Sequence, residues 1–342
     1  GDRAPPGLPA VTADTATGAR AESRAGGGAG LCRPGVLILA LAALGVAACA
    51  GSSEPSGGRF PDVITLGEGE VFPILTNHTL AVGVNRFSLM LADQEDSPLL
   101  GADVLLRFFD LTGEEPVLKS QADARFIPVE LFFIDERSGK EKRYEGGNGV
   151  YVTRVDFDAP GRWGVEINVT ADGTQLEPIP FQFDVLEVSP EPAIGDPAPP
   201  SRQLTLADVA HVTEIDSSFP PRPHMHEITV ADALTAGKPI LVAFATPAFC
   251  ESRTCGPVMD TVMDPLYETY ADEAVFIHIE PFQLKELREG IDRIPVEATA
   301  EWGLQTEPWL FVIDEQGRIV GKFEGIIALD EVETVLVRVL EG

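Results

Sequence analysis

Hydrophobic and polar positions are arranged differently in the two halves of the chain. Between residues 62 and 187, short apolar or alternating runs are broken by Gly, Asp, Asn and Pro, which is typical of an all-β domain. This pattern predicts about seven strands, at residues 80–84, 86–91, 103–109, 125–133, 150–157, 163–169 and 181–186. Residues 62–187 are therefore predicted to form an antiparallel β-sandwich.

A proline-rich segment separates this region from one with a different pattern. Residues 188–202 contain five prolines, which stop a strand or helix from continuing and predict a linker. In residues 203–342, apolar strands alternate with amphipathic helices in the order β-α-β-α-β-β-α. The strands are predicted at residues 238–244, 275–280, 309–314 and 318–323, and the helices at 229–237, 255–271, 298–302 and 329–340. The second region is therefore predicted to be an α/β domain.

The first region, residues 62–187, contains few side chains that could catalyse a reaction. Its strand number and length resemble an immunoglobulin-like sandwich. It contains one histidine, His78, and no cysteine. We expect it to be a binding or spacer module rather than a catalytic domain.

An apolar run near the start of the chain indicates export. Residues 35–48 are uncharged, and fourteen helical residues span about 21 Å, less than the roughly 30 Å of a membrane core. A secretory signal therefore fits this run better than a membrane-spanning helix, although an uncleaved anchor is the alternative. The run ends in Val-Ala-Ala-Cys at Cys49, which resembles the lipobox of bacterial lipoproteins.

That resemblance implies a processed, lipidated protein. Residues 1–48 would be the leader and signal peptide, and Cys49 would carry the lipid at the start of a flexible tether, residues 49–61. We expect the protein to be anchored in the cell membrane through Cys49 and to face the extracytoplasmic side.

Charge and cysteine content narrow the function further. The chain has 54 Asp and Glu against 25 Lys and Arg, a net charge of -29, so its field repels nucleic acid and no nucleic-acid partner is expected. Its four cysteines are too few for a disulfide-dense scaffold. Cys32 would leave with the signal peptide and Cys49 would carry lipid, so Cys250 and Cys255 remain for chemistry.

The surroundings of these two cysteines resemble a thioredoxin-fold domain. A buried strand at residues 240–244 leads into a loop with Cys250 and Cys255, and a helix follows. Pro308 precedes the last strand pair, where thioredoxins place a cis-proline beside the active-site disulfide. The resemblance covers residues 203–342.

This resemblance implies a thiol–disulfide oxidoreductase without a cofactor. Cys250 and Cys255 would exchange disulfides with protein clients and with a separate redox partner. Pro308 would shape the client groove, which would also contain Phe249, Glu307 and Trp309.

The spacing of the cysteines departs from thioredoxin, where two residues rather than four separate them. Within one α-helix, Cα atoms five residues apart are about 8.6 Å from each other, too far for a disulfide. Cys250 must therefore lie in the loop before the helix. The match of Cys255-Gly-Pro to the thioredoxin motif favours Cys255 as the nucleophile, whereas counting from the strand favours Cys250. A permanent structural disulfide is the other interpretation of the pair.

Two histidines suggest a different class of protein. His224 and His226 flank a methionine and could bind copper. Copper-delivering lipoproteins of the Sco type use two cysteines and a distant histidine, but three residues separate their cysteines. We expect no metal site. His224 and His226 are the candidates for one, and His278 is expected to be a structural residue. A non-catalytic or copper-binding carrier is the alternative function.

Overall fold

The computed structural model describes residues 60, 71–130, 132–135, 140–143 and 147–342, with the backbone alone for 133–135 and 140–143. Residues Pro55–Gly342 belong to one compact unit. The predicted signal peptide at residues 1–48 and the predicted lipid site, Cys49, lie outside the described residues and stay predictions. Within the described ranges, no helix has the length and apolar character needed to cross a bilayer.

The β-rich region contains one large curled sheet and a separate hairpin. Its strands are β1 Phe72–Leu75, β2 Gly83–Ala92, β3 Asp103–Asp110, β4 Val117–Val129, β5 Phe132–Asp135, β6 Lys140–Arg143, β7 Asn148–Phe157, β8 Gly161–Ala171, β9 Thr174–Gln175 and β10 Ile179–Val185. The large sheet has the order β1-β2-β7-β4-β3-β8-β10, with β9 at the end of β8, and β5 pairs with β6. All of these pairs are antiparallel.

Strand β4 connects two halves of this sheet. Its first part, up to Ala124, pairs with β3, and its second part, from Arg125, pairs with β7. Fully buried aromatic side chains from both halves form the core between them, and they include Phe87, Phe108 and Trp163. Aromatic rings meet edge-on in this core, as Phe87 and Phe108 do at 5.0 Å between centroids.

The observed strands differ from the predicted ones in several places. The strands predicted at residues 80–84 and 86–91 correspond to one strand, β2, which begins only at Gly83. The strand predicted at 125–133 covers the end of β4, which stops at Val129, and the first residues of β5. The start of β4 at Val117 was missed because residues 117–124 are mostly polar or small. The short strand β1 and the β5–β6 hairpin were also missed.

The α/β region contains a four-stranded sheet. Its strands are β11 Ile240–Phe244, β12 Val275–Ile279, β13 Trp309–Ile313 and β14 Ile319–Glu324, in the order β12-β11-β13-β14. Strands β11 and β12 are parallel, and the other two pairs are antiparallel. Every residue of β11 and β13 is buried, as their continuous apolar sequences predicted.

Helices cover both faces of this sheet. They are α1 Val230–Ala233, α2 Cys255–Val258, α3 Asp264–Tyr270, α4 Leu284–Arg288, α5 Glu297–Glu301 and α6 Leu329–Glu341. One face packs on α2, α3 and α6 through side chains such as Val258 and Leu336, and the other packs on Trp302. The helix predicted at residues 255–271 contains a π-helical stretch, Met259–Met263, between α2 and α3. Pro265 lacks the N–H that a regular helix needs at this point. Helix α4 was missed.

The β-rich and α/β regions share a polar and apolar contact surface. The Arg86 guanidinium lies 2.9 Å from the Glu331 carboxylate and donates to the Ile326 carbonyl at 2.6 Å. Beside this ion pair, the Ile326 side chain packs in one buried cluster with Ile127 and Val150. The Arg86 side chain is buried and donates only to groups of the α/β region, so it links the two regions.

Candidate functional site

The two cysteines form a disulfide where the central strand leads into a helix. Strand β11 ends at Phe244, the following loop carries Cys250, and α2 begins at Cys255. The Cα atoms of the two cysteines are 6.0 Å apart. Cys250 thus lies in the loop before the helix, as the spacing of the pair requires.

The two sulfurs have different surroundings. Cys250 is 7% exposed, whereas Cys255 is fully buried. The backbone N–H of Cys255 donates to Cys250 Sγ at 3.3 Å, and Ser252 Oγ lies 3.2 Å from the same sulfur. Ser252 Oγ in turn lies 2.7 Å from Thr254 Oγ1. Both cysteines are therefore buried, but Cys250 is the less buried of the two and its sulfur accepts a hydrogen bond from the backbone.

A buried carboxylate faces the disulfide. The Glu307–Pro308 peptide bond is cis and directly precedes β13. A Glu307 carboxylate oxygen and both cysteine sulfurs all lie within 4.8 Å of one another. Burial raises the pKa of Glu307, and its ion pair with Arg293 at 2.7 Å opposes only part of that rise. The carboxyl group therefore holds a proton more readily than an exposed glutamate does.

Arg293 organises this side of the disulfide, and sequence reasoning missed it. Besides Glu307, it contacts the Glu251 carboxylate at 3.1 Å and donates to the Phe249 carbonyl. It lies in a loop about forty residues after the cysteines, and no local motif marks it. Arg293 ties the cysteine loop to the segment that carries Glu307.

The residues predicted for a client groove lie in different settings. Phe249 is half-buried, and Glu307 lines a cavity of about 350 Å³. Trp309 is 2% exposed and stacks on Phe311 at 5.8 Å between ring centroids, so its side chain faces the core.

The cavity beside Glu307 lies between the two regions of the chain. Among its lining residues are Ser252, Thr254 and Glu307 from the α/β region and Leu75, His78 and Met90 from the β-rich region. Close by, Phe132 of the β5–β6 hairpin covers the start of α2. A Cβ at Gly256 would lie 2.8 Å from Phe132 Cε2, which only glycine avoids. The β-rich region therefore forms part of the surroundings of the disulfide.

The predicted histidine candidates are separated. His224 is half-buried, and its ring lies 4.0 Å from that of Tyr267 between centroids. His226 instead lies in a buried group with Asp216 and His278. Burial lowers the pKa of His278 to about 4, although the nearby Asp216 carboxylate opposes this effect. Burial alone would raise the pKa of Asp216, but hydrogen bonding and both histidines hold it well below its usual range.

The arrangement that the copper interpretation needs is not formed in the described part of the chain. There, the group of potential metal ligands that includes both cysteine sulfurs contains Glu307 and no histidine. A site of two cysteines and a histidine is therefore not assembled among these residues.

Comparison with known proteins adds one partial likeness. No protein-family model and no curated protein matches this chain. A solved structure described as a thiol:disulfide interchange protein, thioredoxin family protein, from Chlorobium tepidum TLS is 19% identical, and the match covers 43% of this chain and 98% of that one. Its TM-score of 0.28 is too low to carry an argument.

The class of fold rests instead on the chain's own architecture. A parallel β11–β12 pair, two further antiparallel strands, helices on both faces and a disulfide at the start of the helix after β11 define a thioredoxin-like fold. The disulfide beside a cis-proline supports a redox type of function. The resemblance found in residues 203–342 is confirmed to this extent.

Proposed function

We propose that this protein is a membrane-anchored, extracytoplasmic thiol–disulfide oxidoreductase that exchanges disulfides through Cys250 and Cys255. One observation carries the proposal. The disulfide joins a loop to the first residue of a helix, with Cys250 7% exposed, Cys255 fully buried and a buried carboxylate within 4.8 Å of both sulfurs. This arrangement supports an attacking sulfur on the less buried side, a buried resolving sulfur and a proton carrier.

Cys250 is assigned as the sulfur that meets the client. In the reduced protein, the Cys250 thiolate attacks one sulfur of a client disulfide, which forms a mixed disulfide and releases the other client sulfur as a thiolate. The Cys255 N–H donates to Cys250 Sγ and stabilises negative charge on it. Ser252, whose hydroxyl donates to the Glu307 carbonyl oxygen at 3.3 Å in the disulfide form, is proposed to turn its hydrogen to the Cys250 thiolate, 3.2 Å away. The proposal thus adopts one of the two alternatives that the sequence left open.

Cys255 then resolves the mixed disulfide. Its thiol loses a proton to the Glu307 carboxylate, and the resulting thiolate attacks Cys250 Sγ and releases the second client thiolate. Two electrons have then passed to the client, and a partner dithiol must reduce the Cys250–Cys255 disulfide again. The raised pKa of Glu307 is closer to the pKa of the Cys255 thiol than that of an ordinary glutamate is, and this smaller difference favours the proton transfer. The reverse sequence would oxidise a client dithiol.

The β-rich region is proposed to be an immunoglobulin-like sandwich that helps to bind clients. The strand orders β1-β2-β7-β4 and β4-β3-β8-β10 correspond to the two sheets of that fold, joined through β4. The sandwich supplies one wall of the cavity beside Glu307. A client segment that reaches Cys250 would contact both regions there.

Catalysis is tested by insulin reduction with the purified full chain in detergent. We expect the wild type to accelerate insulin reduction by a small dithiol. Cys250→Ser should be inactive, and Cys255→Ser should accumulate a mixed disulfide with insulin because the resolving thiol is absent. Activity that persists when both cysteines are replaced by serine would refute the catalytic assignment.

Anchoring is tested separately by labelling cells with radioactive palmitate. The wild type should incorporate label and fractionate with membranes, and Cys49→Ala should do neither. Label that remains on Cys49→Ala would refute the lipoprotein proposal without affecting the redox proposal.

A further inference from the structure

A second group of reactive side chains lies apart from the disulfide. Asp216 and His226 come from two loop segments, and His278 comes from β12. The three residues are 1%, 2% and 1% exposed, respectively. One potential ligand atom from each lies within 4.8 Å of the other two. Three segments of the chain thus bring two imidazoles and a carboxylate together inside the protein.

The hydrogen bonds of His278 determine which of its ring atoms carries hydrogen. Its Nε2 lies 2.9 Å from the Ala245 carbonyl oxygen. Because a carbonyl oxygen only accepts, Nε2 carries the hydrogen and Nδ1 of the neutral ring has a lone pair. This Nδ1 lies 3.6 Å from Asp216 Oδ1 and has no hydrogen-bond partner among the described residues. Two electron-pair donors therefore face each other without a proton between them, which is unfavourable in a buried site.

His226 presents another nitrogen to the same carboxylate. Its Nε2 lies 3.3 Å from Asp216 Oδ2 and, within the described ranges, also makes no hydrogen bond. Two ligands on a tetrahedral ion are about 3.4 Å apart when each bond to the ion is about 2.0–2.1 Å long. The observed separations of 3.3 and 3.6 Å are close to this value.

Hydrogen bonds from the surrounding backbone hold these side chains in place. Asp216 Oδ1 accepts from the Ser218 N–H at 2.8 Å, and Asp216 Oδ2 accepts from the Arg222 N–H at 2.6 Å. The bond from His278 Nε2 to a carbonyl is the usual outer contact of a histidine that binds metal through its other nitrogen. The carboxylate and one imidazole are thus oriented before any ion binds.

A cavity gives access to this group. It has a volume of about 500 Å³, and its lining includes His226, His278 and Glu280. Glu280 Oε1 accepts from the Ser217 N–H at 2.7 Å, whereas Oε2 has no hydrogen-bond partner in the described part of the chain. The cavity therefore borders both histidines of the group.

We propose that Asp216, His226 and His278 form a mononuclear site for a divalent first-row transition-metal ion of the Zn²⁺ type. Two imidazoles and one carboxylate are a ligand set that such ions prefer over calcium or magnesium. The fourth position is open to the cavity, where water or a small ligand completes the coordination. The site is separate from the Cys250–Cys255 disulfide.

The probe is Zn²⁺ alone, added to metal-free full chain whose cysteines are kept oxidised so that no thiol competes. Isothermal titration should give one Zn²⁺ per chain. His226→Gln and His278→Gln should weaken binding by about 10-fold or more, because each removes a ligand. His224→Gln is the matched control, since it lies two residues from His226 and outside the group, and it should bind like the wild type.

Three results would overturn the site. They are an absence of Zn²⁺ binding to the oxidised wild type, an equal loss of affinity in His224→Gln, and a loss of binding when both cysteines are replaced by serine. Because the ligand variants could fail to fold, Co²⁺ is also added to the wild type. Visible bands of a four-coordinate nitrogen and oxygen site support the proposal, and a thiolate charge-transfer band contradicts it.

Discussion

The disulfide and the Asp216–His226–His278 group lie close to the ends of the neighbouring parallel strands β11 and β12, but they differ in access and in partners. Cys250 is 7% exposed and its sulfur accepts a hydrogen bond, whereas Asp216, His226 and His278 are at most 2% exposed and two of the imidazole nitrogens lack hydrogen-bond partners among the described residues. The less buried sulfur suits exchange with another protein. Buried donors that face one another suit the retention of a small cation. One sheet thus supports two kinds of chemistry.

The largest predicted effect separates the two groups by function. Cys250→Ser should reduce insulin reduction to the uncatalysed rate because the client-facing sulfur is lost, while Zn²⁺ binding stays unchanged. His226→Gln should weaken Zn²⁺ binding and leave the rate of insulin reduction unchanged. Both activities are measured on the same purified chains, and a variant that abolishes both would show that the two groups depend on each other.

The next effect concerns the contact between Phe132 and the start of α2. Gly256→Ala places a Cβ 2.8 Å from Phe132 Cε2, so the hairpin or the helix must move. We expect a loss of about 1–3 kcal/mol in the free energy of unfolding, measured by urea denaturation.

Gly113→Ala is the control for that substitution, because the nearest atom to its added Cβ is 3.9 Å away. It should change stability by less than about 0.5 kcal/mol. A Gly256→Ala variant as stable as this control would show that Phe132 does not confine the start of α2.

A smaller effect concerns the charge beside the sulfurs. A deprotonated Glu307 disfavours a thiolate, so Glu307→Gln should lower the pKa of the Cys250 thiol by roughly one unit. Alkylation rates of the reduced protein across pH would measure this value. Glu251→Gln is the matched control, because Glu251 pairs with the same arginine while its side chain is 80% exposed. An upward shift in Glu307→Gln would contradict the assigned role.

The smallest effect is a shift of the Cys250 thiol pKa in the opposite direction. Ser252→Ala removes a hydroxyl 3.2 Å from Cys250 Sγ. Since this hydroxyl is proposed to donate to the thiolate in the reduced protein, the pKa of the Cys250 thiol should rise by less than about one unit. The same alkylation profile measures it, and a fall in pKa would show that Ser252 does not donate to the sulfur.

The sequence predicted the α/β region better than the β-rich region for a physical reason. Strands β11 and β13 are buried on both faces, so their uninterrupted apolar runs were easy to recognise. Strand β4 pairs with two neighbours while most of its side chains stay partly or fully exposed, so its sequence has little hydrophobic signal.

The same difference applies to the two reactive groups. Cys250 and Cys255 are five residues apart, and the resemblance to thioredoxins placed Pro308 and the adjoining Glu307 beside them, so the sequence could connect these residues with a redox site. Asp216, His226 and His278 are brought together by tertiary packing over a separation of about sixty residues. The sequence pointed to His226 as a metal candidate, but paired it with His224, which lies outside the group, and it treated His278 as a structural residue.

Redox titration of the purified full chain in glutathione and dithiothreitol buffers, with the free thiols trapped by alkylation, tests the central claim most directly. If Cys250 and Cys255 exchange electrons with clients, the pair should become half reduced at a potential above about -300 mV. A pair that stays oxidised below about -300 mV would be a structural disulfide and would contradict the account.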